Sequence, residues 1–346
     1  MAEFKTPTAK KFKSRITDNP EFQTPIKIPA SPFLKQIGYG CGVGVFTLER
    51  SPKVGFVRSP WAIKKRNKNV TSDPKYNSRI QLEAEILRKL KHPNIIGFRG
   101  LAYESHGEPC LAMEKLDMSL GDMIENRVEE GEPQFPADDI LKIGYEIVKG
   151  LEYLHHTAYI LHGDIKSYNI LISKDYQIVK ICDFGVSIPL TQDLIIDTSN
   201  DKFMYIGTQC WSAPEVLDGD EPITNKADMW AYGLVLYEMI ALSPPHFQNE
   251  DSIDESTDDD HMSTISMENN YPNSDAEEED SFIQSLKDPD DSKYGTRPPL
   301  PAIELGSEYD KVLEIFYACS DEDYRTRPSA KGVVMFFKNY VKKVTS

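Results

Sequence analysis

Apolar and polar positions along the chain follow two different rhythms. From Phe33 to about Glu114 the apolar runs are short and close to the period of a strand. FLKQIGYGCGVGVFTLER reads as two strands joined by a Gly-rich turn, and PWAIKK and CLAME as two further short strands. Between them, SRIQLEAEILRKL spaces Ile80, Leu82, Ile86, Leu87 and Leu90 as one face of a helix. Beyond Lys115 the rhythm turns helical. ADDILKIGYEIVKGLEYLHH sets Ile140, Leu141, Ile143, Ile147, Leu151 and Leu154 at helical spacing. DMWAYGLVLYEMIAL, SEYDKVLEIFYAC and SAKGVVMFFKNYVKK predict three more helices. The pattern is α+β, with the strands gathered toward the N-terminus.

Two stretches lack either rhythm. Residues 1–31 are polar, carry Pro7, Pro20, Pro25 and Pro29, and read as a disordered tail. The second is acidic. The whole chain of 346 residues has a formal charge of −16, and residues 250–291 hold sixteen Asp or Glu against one Lys. That segment accounts for −15, so the remainder is nearly neutral. An insert at about 248–293 is therefore expected as a disordered surface loop, and its charge would repel nucleic-acid phosphates. Hydrophobic content of 40% and charged content of 27% are those of a soluble globular protein. No run of about 18 apolar residues is present to span a membrane. The start, MAEFKTPTAKKFKSR, does not read as a secretory signal, and five scattered cysteines predict a reducing, intracellular setting. The length suits one domain of two lobes or two ordinary domains.

GYGCG alone is weak evidence, because glycine clusters are mostly turns. Order and spacing change that. The Gly-rich turn is followed by Ala62-Ile63-Lys64, a helix with Glu83, His162-Gly163-Asp164 through Asn169, Asp183-Phe184-Gly185 and Ala213-Pro214-Glu215. This series resembles the eukaryotic protein kinase family over roughly residues 33–340. The resemblance implies an α+β, two-lobed kinase domain over 32–342. Its small lobe would run to about 114, and its helical lobe over about 115–342 would carry the insert.

ATP brings several negative charges that must be fixed and offset, and phosphoryl transfer depends mainly on positioning and electrostatics. Glycines at 38, 40 and 42 leave room for backbone N–H groups to approach phosphates. The resemblance implies that Val45 and Ala62 line the ATP site and that Lys64 holds the phosphates. Glu83 would pair with Lys64, whereas Glu85 falls about 200° round the helix, and Lys65 reads as a surface lysine. Met113 would back the adenine pocket, with the backbone of Glu114 and Leu116 bonding the base. Asp164 would be the catalytic aspartate and Lys166 would offset γ-phosphate charge, as in serine/threonine kinases. Asn169 and Asp183 are hard oxygen ligands suited to Mg²⁺. Structural roles are implied for Glu215 paired with Arg327, for Asp228 bracing the catalytic loop, and for Thr208 touching Asp164.

Local runs such as FKTPT, SPWAIKK, HPNIIGFRG, LHGDIKS and KICDFGVSIPL resemble the branch of serine/threonine kinases related to mitogen-activated protein kinase kinases. That likeness implies mitotic and stress-kinase signalling, with p38-type kinases and histone H3 as substrates. It also implies an upstream cyclin-dependent kinase acting at Thr6 of the tail, with Thr24 a second proline-directed site. Cytoplasm, nucleus and the mitotic spindle are the places it implies. No nucleic acid or membrane is an expected partner. Thr191, Thr198, Ser199 and Tyr205 are further candidates for phosphorylation, and Cys41 for reactivity.

Three positions depart from the pattern. Val43 replaces the third glycine of the loop. Gly163 replaces the arginine that in the family binds an activation-loop phosphate, which predicts weaker dependence on that phosphate. A PDZ ligand wants an apolar terminal residue with Ser or Thr two before it; here Ser346 is last with Val344 two before, and PDZ binding is not expected. Val43 and Gly163 leave open a catalytically silent scaffold, and the acidic run leaves open a docking loop for a basic partner.

Overall fold

The Gly-rich run forms two antiparallel strands, β1 (Lys35–Gly40) and β2 (Val43–Leu48), with Gly40 opposite Val43. Gly42 sits between them at φ 68°, a conformation that disfavours any side chain. The computed structural model describes residues 34–40, 42–50, 59–67, 75–104, 107–197, 205–247 and 293–344. The tail with Thr6 and Thr24, Cys41, Thr198, Ser199, the C-terminal Ser346 and nearly all of the acidic insert lie outside the described residues.

β3 (Trp61–Arg66), β4 (Phe98–Tyr103) and β5 (Pro109–Glu114) complete an antiparallel sheet in the order β1-β2-β3-β5-β4. Strand alternation divides β3: Ala62 and Lys64 share one face, Ile63 and Lys65 the other. Lys65 is therefore not the surface lysine the sequence suggests. It is buried, reaches Glu104 at 3.0 Å and lies over the Phe46 ring. Burial among aliphatic stems does not expose a lysine's neighbours in the sequence, so periodicity alone cannot show its partner.

Helix α1 (Lys75–Leu87) packs on β3, β4 and β5. Its buried stripe is Ile80, Glu83, Ala84 and Leu87, whereas Leu82 and Ile86 are only half-buried. The expected face was therefore rotated, because a buried glutamate occupies its centre and does not register as apolar. Leu90 lies past the helix end.

The larger lobe is built on α5 (Lys226–Ala241), in which every residue from Ala227 to Ile240 is buried. A helix apolar all round belongs at the centre of a lobe. Preceding it are α2 (Leu120–Glu129), α3 (Ala137–Tyr153) and the short α4 (Pro214–Asp218). Following it are α6 (Asp310–Cys319) and α7 (Ala330–Val344). α6 packs on α5, and α7 on α3. α3 ends earlier than its sequence period suggests: one π-helical turn, Leu154–Ala158, carries the chain to Tyr159 at φ 54°.

Short strands escaped the sequence reading. They are β6 (Met118–Ser119), β7 (Ile160–Leu161), β8 (Ile170–Ile172), β9 (Val179–Ile181) and β10 (Ile188–Pro189). They form a three-stranded sheet in the order β6-β8-β9 and a β7–β10 pair. Two or three residues cannot display an alternation. Yet the β8–β9 hairpin and β7 carry the catalytic segments into the cleft. The strand-rich and helical lobes meet at Glu114 and Lys115.

Candidate active site

Lys64 leaves β3 on the face shared with Ala62 and is nearly buried. Its Nζ lies 2.9 Å from Glu83 Oε2 of α1 and 2.7 Å from Asp183 Oδ1 of the helical lobe. One ammonium thus joins the sheet, its helix and the other lobe. Burial works against the charge on Lys64, but Asp183 and then Glu83 outweigh it and raise its pKa above the ordinary lysine value. Burial likewise pushes Asp183 up, and the Lys64 ammonium overcomes this and holds the carboxyl at about 2. Both groups stay charged at neutral pH. Asp183 adopts φ 62°, a left-handed conformation that Asp tolerates better than most residues. Phe184 beside it is fully buried against the edge of the His162 ring, 5.0 Å between centroids.

The wall behind Lys64 comes from paired strands. Met113 stands opposite Ala62 across β3 and β5, and both are buried. Val45 stands opposite Lys64 and Gly38 opposite Val45, so the Gly-rich turn overhangs the same face. At Glu114 the backbone N–H is already given to Gly97 O at 2.8 Å and is not open to a base. The Glu114 carboxylate turns instead to Gly97 N at 3.1 Å and Lys180 Nζ at 3.3 Å. Leu116 follows outside any strand.

Across the cleft, the Asp164 carboxylate gathers four contacts from three residues. Its Oδ1 accepts from Thr208 N at 3.1 Å and Thr208 Oγ1 at 2.7 Å. Its Oδ2 accepts from Asn169 Nδ2 at 2.9 Å and faces Lys166 Nζ at 3.1 Å. Lys166 also donates to Thr208 Oγ1 at 2.8 Å, so lysine, aspartate and threonine form a closed triangle. Asn169 Nδ2 donates again to Asp164 O at 2.7 Å. Both amide protons of Asn169 are thereby turned toward Asp164, which leaves Oδ1 as the free oxygen of that side chain.

Asp228, at the start of α5, holds the loop from beneath. It accepts from His162 N at 2.8 Å, Gly163 N at 2.9 Å and His155 Nε2 at 2.8 Å. Burial opposes the charge on Asp228, but the hydrogen bond and charge of His155 prevail and lower its pKa. His162 Nε2 contacts Cys182 O at 2.9 Å, tying the loop to the residue before Asp183.

The sequence matches the family described as the protein kinase domain over residues 33–336. The chain belongs to the protein kinase family. It is 40% identical over 343 residues to the human lymphokine-activated killer T-cell-originated protein kinase, covering 96% of this chain and 97% of that one. It is 33% identical to the mitogen-activated protein kinase kinase kinase zak-1 of Caenorhabditis elegans, over 48% of this chain and 22% of the worm protein. With the rat mitogen-activated protein kinase kinase kinase 12 it shares 37% identity over 46% of this chain and 16% of the rat protein. The first likeness runs the length of both chains. A protein kinase uses ATP and a divalent metal. The donor set suits such a metal: Asp183 and Asn169 Oδ1 are hard oxygens beside an ammonium that complements phosphate.

Two buried supports stabilise this kinase's helical lobe. Arg327 grips Glu215 with two parallel bonds of 2.8 Å each and stacks over Trp230. The second was not read from the sequence. Glu238 is buried on α5, ten positions after Asp228, in an otherwise apolar run. It accepts from Ser167 Oγ at 2.6 Å and Trp211 Nε1 at 2.9 Å, and so links the catalytic loop to the segment after Thr208. Burial exceeds the help of those donors and pushes its carboxyl up to about 7. A lone acid inside an apolar helix is the signal that could have found it. His155 and Tyr205 were likewise not placed in the site by sequence.

Proposed function

We propose that this protein kinase transfers the γ-phosphate of ATP to serine and threonine hydroxyls of proteins. The carrying observation is the Lys64 ammonium held at once by Glu83 at 2.9 Å and Asp183 at 2.7 Å. Two lobes then present one fixed positive charge to the α- and β-phosphates. Gly38, Gly40 and Gly42 cover the phosphates, Val45, Ala62 and Met113 enclose the base, and the Glu114 carbonyl and Leu116 N–H bond its edge. Asp164 accepts the proton of the substrate hydroxyl and aims its oxygen, work of about 10²–10⁴-fold. Lys166, already between Asp164 and Thr208, offsets charge on the transferred group. Asn169 and Asp183 would hold Mg²⁺, which supplies neutralisation of the phosphate oxygens when bound. Thr208 fixes the peptide-positioning segment to Asp164, and Glu215, Arg327 and Asp228 keep the scaffold in place.

The full-length likeness to the human kinase supports a place in mitotic and stress-kinase signalling. On that reading p38-type kinases and histone H3 are substrates, and a cyclin-dependent kinase acts upstream at Thr6, with Thr24 second. Cytoplasm, nucleus and the mitotic spindle are the places where it would work.

The test is phosphoamino-acid analysis of a generic basic protein labelled with Mg²⁺ and ATP. Label on serine and threonine is expected. Phosphotyrosine alongside them makes the enzyme dual-specific, and label on tyrosine alone contradicts the proposal.

A further inference from the structure

The catalytic loop of this kinase lacks the arginine that its family uses to read a phosphate, yet it is held in order. Gly163 stands in that place at φ 80°. A β-carbon added there would lie 3.4 Å from Val186 O and 3.9 Å from Tyr205 Cε2. One added at Gly207 would fall 2.5 Å from Tyr205 Cε1 and 2.8 Å from Gly163 O. Two glycines, one from each segment, thus make the seat for one aromatic ring. Any side chain at either would collide with the ring or strain the backbone.

The ring is also wired to the site. The Ser212 hydroxyl lies beside the Tyr205 phenol. Ser212 Oγ donates to Thr208 O at 3.0 Å. Thr208 in turn donates twice to Asp164 Oδ1, at 3.1 and 2.7 Å. A chain of contacts runs from the ring through Ser212 and Thr208 to the aspartate. Burial first, then the nearby carboxylates of Asp228 and Asp164, raise the phenol's pKa above the ordinary tyrosine value. The phenol therefore stays neutral across the physiological range.

We propose that Tyr205 is a positioning residue for phosphoryl transfer. Its ring, seated on Gly163 and Gly207, clamps the activation segment onto the catalytic loop without a phosphate. A phosphate bound by arginine attracts the two segments electrostatically and can be removed. A ring in a glycine seat is permanent. Addition of a phosphate to the Tyr205 hydroxyl would force the ring out, because its oxygen is packed against Gly207 and repelled by the carboxylates of Asp228 and Asp164.

This inference rests on Asp164 acting as proposed, and the experiment separates the two. Steady-state kinetics are measured on phosphatase-treated wild type, Tyr205→Phe, Tyr205→Leu and Asp164→Asn, with melting temperatures alongside. Treated wild type should keep its kcat within about two-fold of the untreated enzyme. Tyr205→Leu should lose about ten-fold or more in kcat with the KM for ATP changed less than about two-fold. Tyr205→Phe, which keeps the ring and loses only the hydroxyl, should lose no more than about five-fold. Should Tyr205→Leu fail to fold, Ser212→Ala carries the test, because it cuts the chain to Thr208 and should lower kcat by about three-fold or more. Unchanged kcat in Tyr205→Leu, or in Ser212→Ala, overturns the clamp, as does loss of wild-type activity on phosphatase treatment. Equal background transfer by wild type and Asp164→Asn would instead overturn the catalytic reading beneath it.

Discussion

Asp164→Asn should lower kcat by about 10²–10⁴-fold while the KM for ATP stays within about two-fold. The side chain keeps its shape but loses the charge that accepts a proton and orients the attacking hydroxyl. Its oxygens hold Thr208 at 2.7 Å and Asn169 at 2.9 Å, so a residual rate reflects positioning by those partners and by Lys166. On the proposed mechanism nucleotide binding depends on Lys64 and Asp183, which this change does not touch. The split between kcat and KM therefore separates a catalytic from a binding role. Initial rates against ATP at saturating peptide check it. A parallel fall in ATP affinity, or a kcat near wild type, would show that Asp164 does not do the chemistry.

The second large effect is on stability. Arg327→Met should destabilise the helical lobe by about 3–5 kcal/mol. Arg327 supplies both bonds to the Glu215 oxygens, 2.8 Å each, and both side chains are almost wholly buried. Removing the guanidinium leaves a carboxylate desolvated and unpaired. It also removes the stacking over Trp230 and the bond from Nε to Asp321 O at 2.6 Å. The double change Glu215→Gln with Arg327→Met should cost less than the sum of the two single changes, since it leaves no charge stranded. Chemical unfolding of the three variants measures this. A loss under about 1 kcal/mol for Arg327→Met would mean that water reaches the pair and that its burial contributes little.

Chemistry was more legible in this sequence than packing. Lys64, Glu83, Asp164, Asn169, Asp183 and Thr208 come from five separate stretches, and the structure brings them to one cleft. Their residue types and order carry that information, because phosphate and metal chemistry tolerates few substitutes. Packing is less selective. Leu82 and Ile86 are apolar yet half-buried, whereas Glu83 and Lys65 are charged and buried. A buried charge is decided by its partner, and the partners Lys64 and Glu104 are distant in sequence. β6 to β10 were invisible for another reason: strands of two or three residues are held by their neighbours, not by a pattern of their own. Glu238 and Tyr205 fall between these cases. Each is a polar group in an apolar setting, and its function depends on a contact that spacing does not encode. The capping box that starts α2, Ser119 with Asp122, was not read from the sequence.

The central claim is that Lys64 and Asp183 converge on a metal-bound nucleotide, and titration calorimetry with ATP tests it most directly. ATP is titrated into wild type and Asp183→Asn, each with and without Mg²⁺. Wild type should bind ATP more tightly with Mg²⁺, and Asp183→Asn should lose that gain. No heat with wild type, or the same gain from Mg²⁺ in both proteins, would contradict the account.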